Sequence, residues 1–175
     1  TVLDDQTVRS LAARLGAEGD TGSVQRIECP HVTPSDEPRP LRCLFLHGDG
    51  LNADFQRQKL DAAGWVAEAH SLGIELVFVD APFGNRPAFS WGWIADRKGA
   101  ANAVAFIEGL LRDLGPFDGI GGFSLGATLA AAVVARHSSL HFLISICGAP
   151  SEWLCHDVRP AQHVPKRSLH LVGKN

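Results

Sequence analysis

The chain has 175 residues, of which 45% are hydrophobic and 20% charged, and its formal net charge at pH 7 is −3. This length predicts one domain with a substantial core, and the slightly acidic balance argues against nucleic acid or an anionic membrane surface as a partner. The four cysteines show no C-x-x-C spacing, which is typical of reduced thiols in an intracellular protein, cytoplasmic or organellar, and indicates neither a metal site nor a disulfide framework.

Residues 1–40 are predicted to be a lead-in to a domain at 41–175. Asp4 to Leu15 has the apolar spacing of a short amphipathic helix, and Gly16 follows where that helix would end. The prolines between residues 30 and 40 indicate a stiff connection to the first strand.

From residue 41 onward, short apolar runs alternate with helical patterns. Strands are predicted at Leu41–Leu46, Ile74–Val79, Phe117–Phe123, His141–Cys147 and Leu169–Val172, and helices at Asn52–Leu72, Lys98–Leu114 and Ala127–Ala135. Such continuous apolar strands separated by helices are typical of the α/β class, with a mostly parallel sheet and helices on both faces. The last run is expected to pair in parallel with the strand at His141–Cys147.

The stretch from Gly119 to Ala135 carries no charge and approaches the length of a membrane span. It contains four glycines and two hydroxyl residues, and it falls just short of the ~18 apolar residues that a span needs. A buried strand followed by a small-residue helix is therefore the better interpretation, and no membrane span is predicted.

The pentapeptide at 122–126, Gly-Phe-Ser-Leu-Gly, lies between a predicted strand and a predicted helix. A serine on a sharp strand-to-helix turn requires glycine on both sides, because the backbone is strained and the strand and helix pass very close to each other. The pattern therefore predicts a nucleophile elbow with Ser124 as the nucleophile. The alternative is a tight turn without catalytic meaning.

The first strand ends in His47 and a glycine-rich loop at 48–50. Behind a nucleophile elbow, this loop can supply one backbone N–H of an oxyanion hole, while the residue after the nucleophile supplies the other. The expected donors are the amides of Asp49, or Gly50 in its place, and Leu125. We expect His47 to fix the loop through hydrogen bonds; the alternative is that it acts as the catalytic base.

Several motifs in this order resemble one known family. They are Leu44–Gly48 with Asn52 shortly after, Val77–Pro82, Ser90–Trp93, Gly115–Gly119, Gly122–Gly126 and Ser168–Gly173. Together they resemble the FSH-type serine hydrolases, a branch of the α/β-hydrolases that includes small intracellular esterases and thioesterases releasing polyketide products. The resemblance covers roughly Leu41 to Lys174 and implies an α/β-hydrolase fold.

The resemblance also implies where the remaining catalytic residues belong. In that family the catalytic aspartate follows the strand resembled by Ser168–Gly173, in a Gly-x-x-Asp pattern, and the histidine follows one further strand. The chain ends at Asn175, so the acid, the histidine, the last strand and the C-terminal helix are expected beyond it. An acid and a histidine within residues 152–170 are the alternative pair.

The predicted function is hydrolysis of a small ester or thioester through an acyl-enzyme on Ser124, without a metal or cofactor. The aromatic loop that begins at Phe83 is expected to form part of the substrate pocket, together with His47, Trp91 and Trp93; ordinary packing over the sheet is the alternative for the tryptophans. The other functional hypothesis is an inactive hydrolase-fold subunit with a structural role, whose protein partner covers the open sheet edge or the N-terminal helix.

Overall fold

The computed structural model describes residues 39–85, 87–92, 97–149 and 167–172. In chain order its elements are β1 (Leu41–Leu46), α1 (Ala53–Ala62), α2 (Trp65–Ser71), β2 (Ile74–Val79), β3 (Phe83–Asn85), β4 (Ala88–Ser90), α3 (Arg97–Leu114), β5 (Gly119–Phe123), α4 (Leu125–Val134), β6 (Phe142–Ile146) and β7 (Arg167–Leu171). The helix predicted at Asp4–Leu15 lies outside the described residues, and the domain division at residue 40 stays a prediction.

Five strands form one parallel sheet in the order β2-β1-β5-β6-β7. This confirms the α/β architecture predicted from the alternating apolar runs and helices. β7 lies beside β6, with Leu169 opposite Ile144, as expected for the last apolar run. β5 is the middle strand, so its carboxyl end is flanked by the ends of β1 and β6.

Alternation along β1 divides the core into two layers. Leu44 and Leu46 face the layer of α3 and α4, whereas Cys43 and Phe45 face the layer of α1 and α2. Full burial of each large apolar side chain contributes about 1.5–3 kcal/mol, so both layers hold the helices against the sheet. Helices therefore cover both faces, as predicted. Burial also raises the pKa of the Cys43 thiol, which keeps it protonated and unreactive.

The helix predicted at Asn52–Leu72 is two helices. Asn52 caps the first, because its side-chain oxygen accepts a hydrogen bond from the amide of Phe55 at 2.7 Å. Gly64 has φ 80°, a left-handed conformation that interrupts the helix between α1 and α2. The apolar pattern continues across the break, which is why the sequence alone predicted one helix.

The segment predicted as an aromatic loop after Phe83 contains an antiparallel hairpin, β3–β4. Its strands are three residues each, too short for a period-2 pattern to stand out in the sequence. An additional bridge joins Phe89 to Leu51, so the hairpin is attached to the loop that follows β1.

The uncharged stretch from Gly119 to Ala135 forms β5, a turn at Ser124, α4 and the residue after it. Across the part of the chain that the structure describes, no helix has both the length and the apolarity needed to cross a bilayer.

Asp118 joins the start of β5 to β1 and to the residues before it. Its carboxylate accepts two hydrogen bonds from the Arg39 guanidinium, at 2.8 and 2.9 Å, and one from the Arg42 amide at 2.8 Å. Burial by itself would raise the pKa of Asp118, but the hydrogen bonds from Arg39 and Arg42 outweigh it, and the pKa lies below its ordinary value. At this position the amide of Arg42 in β1 is therefore paired with a side chain and not with the backbone of β5. β5 begins at Gly119, two residues later than predicted.

Asp118→Asn should lower the free energy of unfolding by about 1–3 kcal/mol at pH 7, because it removes charge-assisted hydrogen bonds from a buried position. The pKa of Asp118 is lower in the folded state, so this stability is present above its unfolded pKa of about 3.9 and is lost as the pH falls through the folded pKa. Urea unfolding at pH 7 and pH 3 measures both effects.

Asp113→Asn is the matched control, since Asp113 is exposed and pairs with the neighbouring Arg112. An Asp118→Asn protein as stable as this control at pH 7 would contradict the prediction.

Candidate functional site

Ser124 connects the carboxyl end of β5 to the first residue of α4. Its backbone has φ 51° and ψ −119°, a sparsely populated conformation for a residue with a side chain. Its amide donates to Ile146 at 2.8 Å, which extends the pairing of β5 with β6 to the turn itself. Its side chain makes no capping hydrogen bond to the helix. The predicted strand–turn–helix geometry with a strained serine is confirmed.

The glycines on either side of Ser124 allow α4 to lie directly against two strand ends. A Cβ atom on Gly122 would lie 2.5 Å from the carbonyl oxygen of Gly126 and 2.6 Å from the amide of Ala127. A Cβ atom on Gly126 would lie 2.5 Å from the carbonyl oxygens of Leu46 and His47. Any side chain at either position would force the helix away from the sheet.

The loop after β1 lies next to the elbow. Gly48 is packed so closely that an added Cβ atom would lie 3.0 Å from the ring of Phe123. The amide of Leu51 donates to the carbonyl oxygen of Gly48 at 3.2 Å, which closes a turn with Gly50 at φ 71° in its third position.

The structure separates the two candidate donors in this loop. The amide of Gly50 donates to Phe89 at 3.0 Å, so it is already engaged. The amides of Asp49 and Leu125 have no acceptor among the described residues. Asp49 is therefore the better of the two candidates that the sequence left open, and Leu125 is the first residue of α4.

His47 and Trp91 lie beneath this loop, and neither has any exposed surface. The His47 ring accepts the Ala81 amide on Nε2 at 3.0 Å, and its Nδ1 lies 2.7 Å from the carbonyl oxygen of Gly48. These bonds confirm the expectation that His47 fixes the loop. Burial lowers the pKa of His47, so the imidazole is neutral at pH 7.

The aromatic residues assigned to a pocket lie in different surroundings. Trp91 belongs to the core layer of α3 and α4, and with His47 it supports the loop from inside instead of lining an open surface. Phe83 is 53% exposed and packs against Gly92. Trp93 lies outside the described residues. Among the described residues predicted to line the pocket, Phe83 is therefore the one whose side chain is exposed.

The hairpin holding Phe83 is tied to the loop by backbone and side-chain bonds. The amide of Phe89 donates to Leu51 at 2.8 Å, and the Asn52 side chain donates to the carbonyl oxygen of Pro87 at 2.6 Å. These contacts place the exposed aromatic surface at the same end of the sheet as Ser124.

Within the described ranges, no histidine or carboxylate makes a hydrogen bond to the Ser124 hydroxyl. His137 pairs with Glu108 at 3.3 Å, and His170 is exposed on β7. The in-chain alternatives at 152–163 lie outside the described residues. The same ranges hold no group of three histidine, cysteine or acidic side chains that could bind a metal ion.

The chain belongs to the serine hydrolase (FSH1) family, whose family model matches residues 36–175. It is 27% identical to Esterase OVCA2 from Danio rerio, over 78% of this chain and 77% of that protein. It is 26% identical to Rhodanese-like domain-containing protein 6 from Arabidopsis thaliana, over 77% of this chain but only 30% of that protein. The chain thus spans less than a third of that longer relative.

Among solved structures, the crystal structure of esterase PE8 matches with a TM-score of 0.54 and 22% identity, covering 75% of this chain and 68% of the other. This likeness concerns the fold, and it agrees with the α/β-hydrolase architecture that the sheet order and the elbow show.

Gly122→Ala should lower the free energy of unfolding by about 2 kcal/mol or more, because the new methyl group meets backbone atoms that cannot rotate away. Gly109→Ala is the matched control: it lies in α3, where an added Cβ meets only the end of the Arg112 side chain, at 3.5 Å. This control should gain about 0.5–1 kcal/mol from helix propensity. Equal stabilities of the two variants in urea unfolding would show that the elbow is not tightly packed.

The stability contributed by neutral His47 should depend on pH. Because burial lowers its folded pKa, the unfolded chain takes up a proton below about pH 6.5 that the folded chain does not. The hydrogen bond to the Gly48 carbonyl and the charges of Asp80 and Asp49 oppose this shift without reversing it. The contribution of neutral His47 to the free energy of unfolding should therefore be fully present above pH 6.5. It should decrease as the pH falls from 6.5 toward the folded pKa. Between pH 7.5 and 5, wild type should lose more stability than His47→Gln; an equal loss would refute this assignment.

Proposed function

We propose that this protein is a serine hydrolase that cleaves an ester or thioester through an acyl-enzyme on Ser124. The observation that carries the proposal is the conformation of Ser124, at φ 51° between the middle strand and α4, beside a loop whose Asp49 amide has no acceptor among the described residues. A strained, half-buried serine whose hydroxyl does not cap its own helix is suited to attack a carbonyl carbon.

In the proposed reaction, the Ser124 oxygen attacks the acyl carbonyl carbon and its proton passes to a general base. The negative charge on the former carbonyl oxygen is stabilised by the amides of Leu125 and Asp49 and by the positive end of the α4 dipole. The intermediate then expels an alcohol or thiol, which takes the proton, and water hydrolyses the acyl-serine. The base is proposed to be a histidine oriented by an acid, both outside the described residues.

The substrate is proposed to carry an apolar acyl group. Phe83 exposes about half of its side chain on a hairpin tied to the 48–51 loop, where it can contact an acyl chain bound near Ser124. The name of the zebrafish relative, Esterase OVCA2, favours an ester as the class of substrate.

Ser124→Ala in the full-length protein should abolish labelling by a fluorophosphonate probe and lower kcat for a short-chain p-nitrophenyl ester by about 10⁴-fold or more. Ser138→Ala, an exposed serine after α4, is the control and should leave both unchanged. A folded wild-type protein that neither reacts with the probe nor hydrolyses esters or thioesters would overturn the proposal and favour the inactive structural subunit.

A further inference from the structure

His47 contacts both of the segments that carry the proposed oxyanion donors. Its ring lies 2.7 Å from the carbonyl oxygen of Gly48, while its own carbonyl oxygen lies against Gly126 in the first turn of α4. We infer that His47 is a positioning residue: its Nδ1–H holds the Gly48–Asp49 peptide so that the Asp49 amide points at the developing oxyanion. This inference rests on the proposed function.

The tautomer of His47 follows from its partners. The backbone amide of Ala81 can only donate, and it lies 3.0 Å from Nε2, so Nε2 must be the acceptor. A neutral imidazole then carries its hydrogen on Nδ1, which donates to the carbonyl oxygen of Gly48 at 2.7 Å. Each ring nitrogen has one partner, and the ring cannot rotate without losing both.

The bond to Gly48 acts on the Asp49 amide because the two groups belong to one peptide unit. The carbonyl of Gly48 and the N–H of Asp49 share a plane and, in a trans peptide, point in opposite directions. Fixing the oxygen on the side of the core therefore directs the N–H away from the core. The following peptide is fixed as well, since the amide of Gly50 donates to Phe89.

Trp91 holds His47 in place from the other side. Its indole Nε1–H donates to the carbonyl oxygen of His47 at 2.9 Å, and the two ring centroids lie 5.0 Å apart. Both residues have no exposed surface, so water does not compete for these bonds. A donor fixed in this way needs no reorganisation when negative charge develops, which is the condition for efficient oxyanion stabilisation.

Two substitutions separate the two hydrogen bonds of the ring. In His47→Asn, the amide nitrogen is as many bonds from Cβ as Nδ1 and can still donate to Gly48, whereas the acceptor for Ala81 is lost. In His47→Gln, the amide oxygen is as many bonds from Cβ as Nε2 and can still accept from Ala81, whereas the donor to Gly48 is lost. Each variant loses one buried hydrogen bond, and urea unfolding of both shows whether their stabilities are equal.

The expected result is a difference in kcat between the variants, measured on the full-length protein with a p-nitrophenyl ester. His47→Gln should lower kcat by about 10²-fold, because the carbonyl oxygen of Gly48 is then held by the Leu51 amide alone and the Asp49 amide is less firmly directed. His47→Asn should stay within about fivefold of wild type. KM should change by less than about threefold in both, since the oxyanion contact forms only in the transition state. Equal losses of kcat in the two variants would mean that His47 is merely structural.

A measurement on the unmodified protein protects the test against variants that fail to fold. Nitrogen NMR of wild type should show His47 with its hydrogen on Nδ1 at pH 7, and the opposite tautomer would overturn the inference. If wild type is active and the two variants have the same kcat, the positioning role of His47 is refuted but the proposed function is not. Wild type that neither turns over ester nor reacts with a fluorophosphonate refutes the proposed function, and the positioning role with it.

Discussion

The close approach of α4 to the ends of two strands is the constraint on which the rest of the site depends. Gly126 lies against the carbonyl oxygens that end β1, and Gly122 lies against Gly126 itself. Because the helix lies this close, Ser124 is the single residue between the end of β5 and the start of α4. The chain turns at this residue, which therefore adopts φ 51°. Strain at Ser124 is thus maintained by packing on both sides, and it costs about 1–3 kcal/mol that the buried layers must offset.

Much of this fold could be predicted from the sequence because its signals are local. β1, β2 and β6 are mostly apolar runs, each with one polar residue, as expected of strands in a parallel sheet that helices cover on both faces. The break at Gly64 was missed because a glycine within an apolar helical pattern does not reveal its φ. The β3–β4 hairpin was missed because strands of three residues show no clear period-2 pattern, and its bridge to Leu51 joins residues more than thirty positions apart.

The candidate site divides in the same way. Ser124 could be predicted because the strand, the two glycines and the helix that define a nucleophile elbow lie within a few residues of one another in the sequence. For His47 the sequence suggested a hydrogen-bonding role but not its partners, since Ala81 and Trp91 are 34 and 44 residues away along the chain. The same distance hid the burial of Trp91, whose position in a glycine- and aromatic-rich segment resembled that of a pocket residue.

The contacts around the 48–51 loop separate the part proposed to stabilise the oxyanion from the part proposed to contact the substrate. The side of the loop toward the core is held by His47 and Trp91, which are fully buried, so any change there disturbs packing and hydrogen bonds together. Toward solvent, the hairpin is joined to the loop by backbone bonds between Phe89 and residues 50 and 51. Backbone bonds do not depend on side-chain identity, so exposed positions such as Phe83 can change without moving the Asp49 amide. If the proposed function holds, such a scaffold accepts different acyl groups at the hairpin while the geometry proposed for oxyanion stabilisation stays fixed.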